Sequence, residues 1–252
     1  MTGSAAPLGQ LCDYATPRNS TNSTVCGQNI ARFLQDTEET YGKLDFIALQ
    51  EASRVATLQE ENPSLLSDYA KVESKSGHED MVTYYRKDRF HLEEEWHSEF
   101  NPGRPWQILL FKEGLIFINA HFPHHKKDLA SILNHEFQTR TPKDKVSAYQ
   151  TYRIIMAADF NDTGNWYHKV HFAPNPLFQR ILQTSSTLPK TCCSATFPYV
   201  KTDFDAAFDY VLDSVGGVKI EVPKNFHWYS PKSDHLPVIG ILAPLVQSNI
   251  GG

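Results

Sequence analysis

The run Arg153-Ile154-Ile155-Met156-Ala157-Ala158-Asp159-Phe160-Asn161-Asp162 is an apolar strand that ends abruptly in carboxylates and a carboxamide. A continuous apolar stretch of this length fits a strand buried on both faces. Its polar end places Asp159 and Asn161 at a sheet edge, where layered α/β folds collect their ligands. The same pattern recurs on either side of this run. Residues 44–49 lead into Gln50-Glu51, and residues 115–120 lead into His121. Ala207-Phe208 precede Asp209, and Ser233-Asp234-His235 stand just before the apolar residues 238–242. Each residue also has an ordinary reading. Asp and Asn cap turns, Asp234 could be an N-cap, and a lone histidine is commonly surface or satisfied core. Their joint occurrence at five strand ends points to an oxygen-rich site with one or two histidines, suited to Mg²⁺ or Mn²⁺.

The remaining chain supports an α/β layer fold with some hairpins. Further strands are expected at 81–86 and 107–112, and Lys112-Glu113-Gly114 reads as a hairpin turn. Ile30, Phe33, Leu34, Thr37 and Tyr41 share one helical face, closed by Gly42. Other helices are expected at 128–137, at 176–183 and within 58–69, where Pro63 should break or restart the helix. The domain expectation is an irregular polar segment at 1–24, one catalytic domain at 25–245 and a tail at 246–252.

Composition narrows the function classes. The 252 residues carry a net charge of −5 and are 40% hydrophobic, too apolar for a disordered chain. The acidic balance argues against a broadly cationic nucleic-acid coat, but not against an enzyme that grips a phosphoester through metal ions. No run is long and apolar enough for a membrane span, and Met1–Pro7 lacks signal-peptide character. Cys12, Cys26, Cys192 and Cys193 match no zinc spacing. They are read as reduced thiols of an intracellular, cytoplasmic setting, so the sequons at Asn19 and Asn22 carry no weight. Zinc held by His121, His124, His125 and Cys192-Cys193 is disfavoured, since adjacent cysteines rarely share one ion.

The ordered segments Leu49-Gln50-Glu51, Asn119-Ala120-His121, Ala158-Asp159-Phe160-Asn161, Phe208-Asp209-Tyr210 and Ser233-Asp234-His235 resemble the motifs of the endonuclease/exonuclease/phosphatase superfamily, the deoxyribonuclease I-like proteins. The resemblance runs from about residue 25 to 245. It implies a four-layer α/β sandwich, two mixed β-sheets face to face with helices outside. It also implies Mg²⁺-dependent (or Mn²⁺-dependent) phosphoester hydrolysis. By the resemblance Glu51 is the principal metal ligand and Asp234 a further metal-side carboxylate. Asp159 orients or deprotonates the attacking water, and Asn161 holds a phosphate oxygen or that water. His235 contacts the scissile phosphate, Asp209 fixes its tautomer and raises its pKa, and His121 lies toward the leaving group. Charge neutralisation, an activated water and a protonated leaving oxygen are what phosphate hydrolysis requires.

One departure stands out. Superfamily members begin with a strand ending in Trp-Asn or Phe-Asn, and nothing before residue 25 has that character. The first strand is therefore expected to be missing or divergent, at some cost to activity. Arg104 could reach a substrate phosphate as a planar fork or simply stack on Trp106. His124-His125-Lys126-Lys127 offers local positive charge. Trp166, Tyr167, His168, His171 and Phe172 could stack on a base. The leading expectation is a monomeric, nuclease-like phosphodiesterase acting on DNA or RNA. The alternatives are a phosphomonoesterase or phospholipase of the inositol phosphate or sphingomyelin type, and a non-catalytic binding protein of the same fold.

Overall fold

A computed structural model describes residues 20–52, 58, 63–76, 79–124, 129–161, 188–192, 207–215, 218–223, 235 and 237–244. The strands are β1 (Phe46–Leu49), β2 (Tyr69–Ser76), β3 (Glu79–Arg86), β4 (Leu92–Glu99), β5 (Pro105–Phe111), β6 (Leu115–His121), β7 (Arg153–Asp159), β8 (Asp209–Asp213), β9 (Lys219–Glu221) and β10 (Ile239–Ile241). The helices are α1 (Ser20–Tyr41), α2 (Leu129–Arg140) and the single turn α3 (Val146–Tyr149).

The larger sheet has the order β4-β5-β6-β7-β8. Its pairs are antiparallel except β6–β7, which is parallel. A parallel neighbour cannot be reached by a tight turn, and the β6–β7 crossover carries α2 and α3. β5 and β6 are buried along their whole length, which is why they read as largely apolar runs, broken only by Gln107 and Asn119 before the terminal His121. Their turn is the expected one, with Gly114 at φ 75°, a conformation that costs glycine little. A second sheet, β1-β3-β2, is antiparallel throughout, and β9 pairs with β10. The large sheet is thus the mixed one, while the described pairings of the second layer are all antiparallel.

Three apolar clusters define four layers. Phe46, Val72 and Tyr85 of the second sheet pack with Leu109, Phe111, Phe117 and Ile155 of the large one. Phe46 stacks on Phe117 at 4.4 Å. Outside the second sheet, Ala31 and Leu34 of α1 cover Ile47, Val82 and Tyr84. Outside the large sheet, Leu133 and Phe137 of α2 cover Trp106, Ile108 and Ile118. Each large apolar side chain so buried contributes about 1.5–3 kcal/mol. At the sheet end opposite the polar strand termini, Arg153 donates to both carboxylate oxygens of Asp213 at 2.9 and 2.7 Å and to the Ala243 carbonyl at 2.7 Å.

Several local expectations change. α1 begins at Ser20, inside the segment expected to be irregular, and Asn22 lies on this helix, not on a strand. Of the helix expected within 58–69, Leu58 is helical and residues 59–62 lie outside the described residues; from Pro63, where a break was expected, the chain runs in turns at 63–68 and into β2, which starts at Tyr69. There the Ser67 hydroxyl donates to the Ser64 carbonyl at 2.9 Å, a local bond that competes with helix. β4 was not anticipated because its sequence, Leu92-Glu93-Glu94-Glu95-Trp96-His97-Ser98-Glu99, is rich in charge; only Trp96 is fully buried. Such charge is how an edge strand resists pairing with other chains. The expected helix at 176–183 lies outside the described residues.

Among the described residues β1 is paired only with β3, and β10 only with β9. β1 lies over β6 through the Phe46–Phe117 stack. β10 lies over β8, where a Cβ added to Gly240 would meet Val211 at 2.9 Å, a close approach that requires glycine. Among the described residues no strand pairing joins β1 to β10, and Ala157 is the one β7 residue that is partly exposed.

Candidate active site

The register of the large sheet assembles the site. His121 ends β6 opposite Asp159 at the end of β7, and Asp159 in turn lies opposite Asp209 at the start of β8. Three separate sequence segments thus deliver one row of polar side chains to one edge. The residues that follow them point to the other face of the sheet. There Phe100, Phe122, Phe160 and Tyr210 stack in a column, with centroid separations of 4.9, 5.0 and 3.9 Å. The column is apolar and close-packed, so it fixes the depth of the polar row above it.

Asp159 is buried and heavily engaged. Its Oδ1 accepts from the Asn161 backbone N–H at 2.8 Å, and its Oδ2 accepts from Asn161 Nδ2 at 3.2 Å. His121 Nε2 lies 3.3 Å from Asp159 Oδ2. Burial raises this carboxyl's pKa, but the His121 contact, the His235 charge and the Asn161 amide outweigh it, and the net direction is downward. Asn161 Nδ2 also donates to the Phe122 carbonyl at 2.8 Å, so its amide group ties β7 to the end of β6. Asn161 has φ 49° and Glu51 has φ 52°. Left-handed backbone is tolerable for Asn and uncommon for Glu, and strain of this kind concentrates at functional sites.

Asp209 Oδ2 lies 2.7 Å from His235 Nδ1. A carboxylate can only accept here, so the imidazole carries its proton on Nδ1 and directs Nε2 elsewhere. Burial raises the Asp209 pKa; the His235 hydrogen bond opposes this, the Asp159 charge adds to it, and the net direction is upward. Thr191, fully buried, accepts from the backbone N–H groups of Phe208 and Asp209 at 3.0 and 2.9 Å and hydrogen-bonds the Asp209 side chain. The adjacent Cys192 forms a β-bridge with His235. Thr191 is a site residue that sequence reasoning missed, since a lone threonine before two cysteines carries no signal. Cys192 is disulfide-bonded, which corrects the expectation of four reduced thiols. Spacing cannot reveal which cysteines a fold brings within bridging distance.

Glu51 lies on the other side of His121. Its Oε1 is 3.6 Å from His121 Nε2 and 3.7 Å from Arg104 Nη1. Arg104 Nη1 is 3.2 Å from His121 Nδ1. Guanidinium has no acceptor, so Nδ1 presents its lone pair and the imidazole proton sits on Nε2, between Glu51 and Asp159. Arg104 thereby joins the site instead of stacking on Trp106, whose ring faces Arg140. Asp234, His125 and the aromatic residues 166–172 lie outside the described residues. Exposed His124 is 6.2 Å from the Phe208 ring, which is 6.0 Å from His235.

Ligand atoms of Asp159, Asp209 and His235 lie within 4.8 Å of one another. Two carboxylates this close repel, and a divalent cation would relieve the repulsion that adds to the effect of burial on Asp209. Hard oxygen donors beside an imidazole fit Mg²⁺ or Mn²⁺, and Glu51, 39% exposed at its side chain, adds an accessible carboxylate at the same edge.

No protein-family model matches the sequence, and no curated protein matches it by sequence. Solved structures do match the fold. A mannosyl-6-phosphatase of Bacteroides thetaiotaomicron is 17% identical with a TM-score of 0.55, over 90% of this chain and 96% of that one. ANGEL2, a 2′,3′-cyclic phosphatase, is 16% identical with a TM-score of 0.57 over 84% of both chains. An endonuclease/exonuclease/phosphatase family protein of B. thetaiotaomicron is 16% identical with a TM-score of 0.50, over 89% of this chain and 92% of that one. With two sheets face to face, helices outside and the polar strand ends gathered at one edge, this chain has the fold of the endonuclease/exonuclease/phosphatase superfamily.

Proposed function

We propose that this protein is a phosphoester hydrolase, and specifically a Mg²⁺-dependent, nuclease-like phosphodiesterase. The observation that carries the reading is the row His121–Asp159–Asp209–His235, with Glu51 and Arg104 beside it. Glu51 and Asp234 would hold the ion, beside Asp159, Asp209 and His235, whose polar atoms lie within 4.8 Å of one another. A bound Mg²⁺ supplies Lewis-acid neutralisation of phosphate charge.

The chain's own residues do the rest. Asp159 stays ionised and accepts a proton from the attacking water. Asn161 spends its donors on Asp159 and Phe122, which leaves its Oδ1 to accept from that water. His235, paired to Asp209, favours the imidazolium form beside the phosphate and stabilises the charge that develops there. Arg104 presents a permanent cation to a phosphate oxygen. His121, with its proton on Nε2, stands between Glu51 and Asp159 and offers a hydrogen bond toward the leaving oxygen, whose proton is the one Asp159 took from the water.

A phosphomonoesterase reading has its own support, since the similar structures include a mannosyl-6-phosphatase. The test is Mg²⁺-dependent turnover of a panel. It includes bis-p-nitrophenyl phosphate, p-nitrophenyl phosphate, single-stranded and duplex DNA, RNA, a 2′,3′-cyclic nucleotide and a sugar phosphate. Diester turnover abolished by Asp159→Ala and by His235→Ala supports the reading. Preference for monoesters would replace it with the second one. No turnover, together with no Mg²⁺ or Mn²⁺ binding by calorimetry, would leave a binding protein.

A further inference from the structure

Among the described residues, a chain of buried amides and a hydroxyl crosses the largely apolar interface between the two sheets. Gln107 Nε2 donates to the carbonyls of Val72 on β2 and Met81 on β3, each at 3.3 Å. Its Oε1 accepts from Thr83 Oγ1 at 2.6 Å. Asn119 Nδ2 donates to Thr83 Oγ1 at 3.0 Å and to the Val82 carbonyl at 3.2 Å, and its Oδ1 accepts from Gln50 Nε2 at 2.7 Å. Thr83, Gln107 and Asn119 are fully buried. Burying three polar side chains costs more than burying apolar ones of the same size, even when each is bonded. Apolar faces attract without direction, whereas a continuous hydrogen-bonded chain permits only one register between two sheets.

The chain ends at the candidate site. Gln50 is the residue before Glu51, and Asn119 lies two residues before His121 on the same strand. Gln50 sits just beyond β1, which has only four residues and is hydrogen-bonded to β3 alone among the described residues. Glu51 itself holds a left-handed backbone at φ 52°, a conformation that reverts unless its neighbours enforce it. The geometry points to Gln50 and Asn119 as positioning residues: their cross-sheet hydrogen bond sets Glu51 against His121 and Asp159. Thr83 and Gln107 anchor Asn119 to the second sheet. The role in turnover rests on the phosphoester hydrolase reading; the positioning itself does not.

The test uses the full chain with Gln50→Met, which keeps length and removes the bond from a half-buried position. Asn119→Asp is the second variant, keeping an acceptor for Gln50 while losing the donor to Thr83 and Val82. A displacement near 1 Å of a catalytic group costs about 100-fold in rate, so Gln50→Met is expected to lower kcat by roughly 10–100-fold with little change in KM and in Tm. In a Glu51→Gln background the same change should add nothing, because it acts through Glu51. The second readout is the crystal structure of Gln50→Met without metal, in which Glu51 should leave its left-handed conformation and the 3.6 Å separation from His121 should widen. An unmoved Glu51, or additive losses in the two backgrounds, overturns the proposal. A wild-type protein with no phosphoester turnover, but a displaced Glu51 in the variant, upholds the positioning and rejects the hydrolase reading.

Discussion

Replacing Asp209 by Asn separates the chemistry of the Asp209–His235 pair from its structural worth. Asn is isosteric and its carbonyl can still accept from His235 Nδ1, so the 2.7 Å contact survives while the charge is lost. The size of the effect has two bounds. Turning a charge-assisted hydrogen bond into a neutral one costs about 1–2 kcal/mol, or roughly tenfold in rate. Removing a full charge about 4 Å from an imidazolium, at an effective dielectric near 20, costs about 4 kcal/mol, or roughly a thousandfold. A fall of about 100-fold in kcat is therefore expected. Stability should move the other way. Burial holds the Asp209 pKa above its unfolded value, so its contribution is present below about pH 4 and is lost as pH rises through the folded value. At pH 7 the ionised carboxylate is a net cost, and Asp209→Asn should melt no lower than wild type. The assay is the pH dependence of kcat on an activated diester with Mg²⁺, beside calorimetric melting at pH 7. A kcat within about threefold of wild type, or an activity loss matched by a falling Tm, would refute the reasoning.

Asp159 is expected to titrate in the opposite sense. Its pKa is lowered, so it stabilises the fold above about pH 4 and loses that contribution as pH falls through its folded value; Asp159→Asn should therefore flatten acid unfolding measured by circular dichroism. Arg153→Met should cost about 3–5 kcal/mol in urea unfolding, because it strands the fully buried Asp213 carboxylate without its counter-ion. Tyr84 has a buried hydroxyl with no hydrogen-bond partner among the described residues, and burial pushes its pKa up to about 12. Its raised pKa gives stability that is full below about pH 10 and lost by about pH 12. Tyr84→Phe should melt at least as high as wild type at pH 7 and lose that alkaline limb; a destabilisation above about 1 kcal/mol would contradict the missing partner.

Strands buried on both faces are legible in the amino-acid pattern alone. Strands β5, β6 and β7 are mostly apolar because both their faces are covered, with Gln107 and Asn119 as buried polar exceptions, and His121 and Asp159 mark the ends of two of them. The hairpin glycine and the helix-ending Gly42 were legible for the same local reason, since each takes a positive φ. Strands β2, β4 and β9 were not legible, because an edge or half-exposed strand owes its existence to its neighbours and carries the charge of a solvated surface. The separate motifs ending in Glu51, His121, Asp159 and Asp209 were visible as strand ends. Which of them meet is set by the pairing of the strands. Sheet register sets His121, Asp159 and Asp209 in a row, and the Cys192–His235 bridge brings a distant histidine to Asp209. Arg104 reached His121 from a loop whose own sequence was neutral between two roles. Thr191 and the buried Thr83–Gln107–Asn119 chain gained meaning only from contacts between segments far apart in sequence. Periodicity records how much of a strand is covered; it holds no record of which side chain lies across the interface, and that is where this site is made.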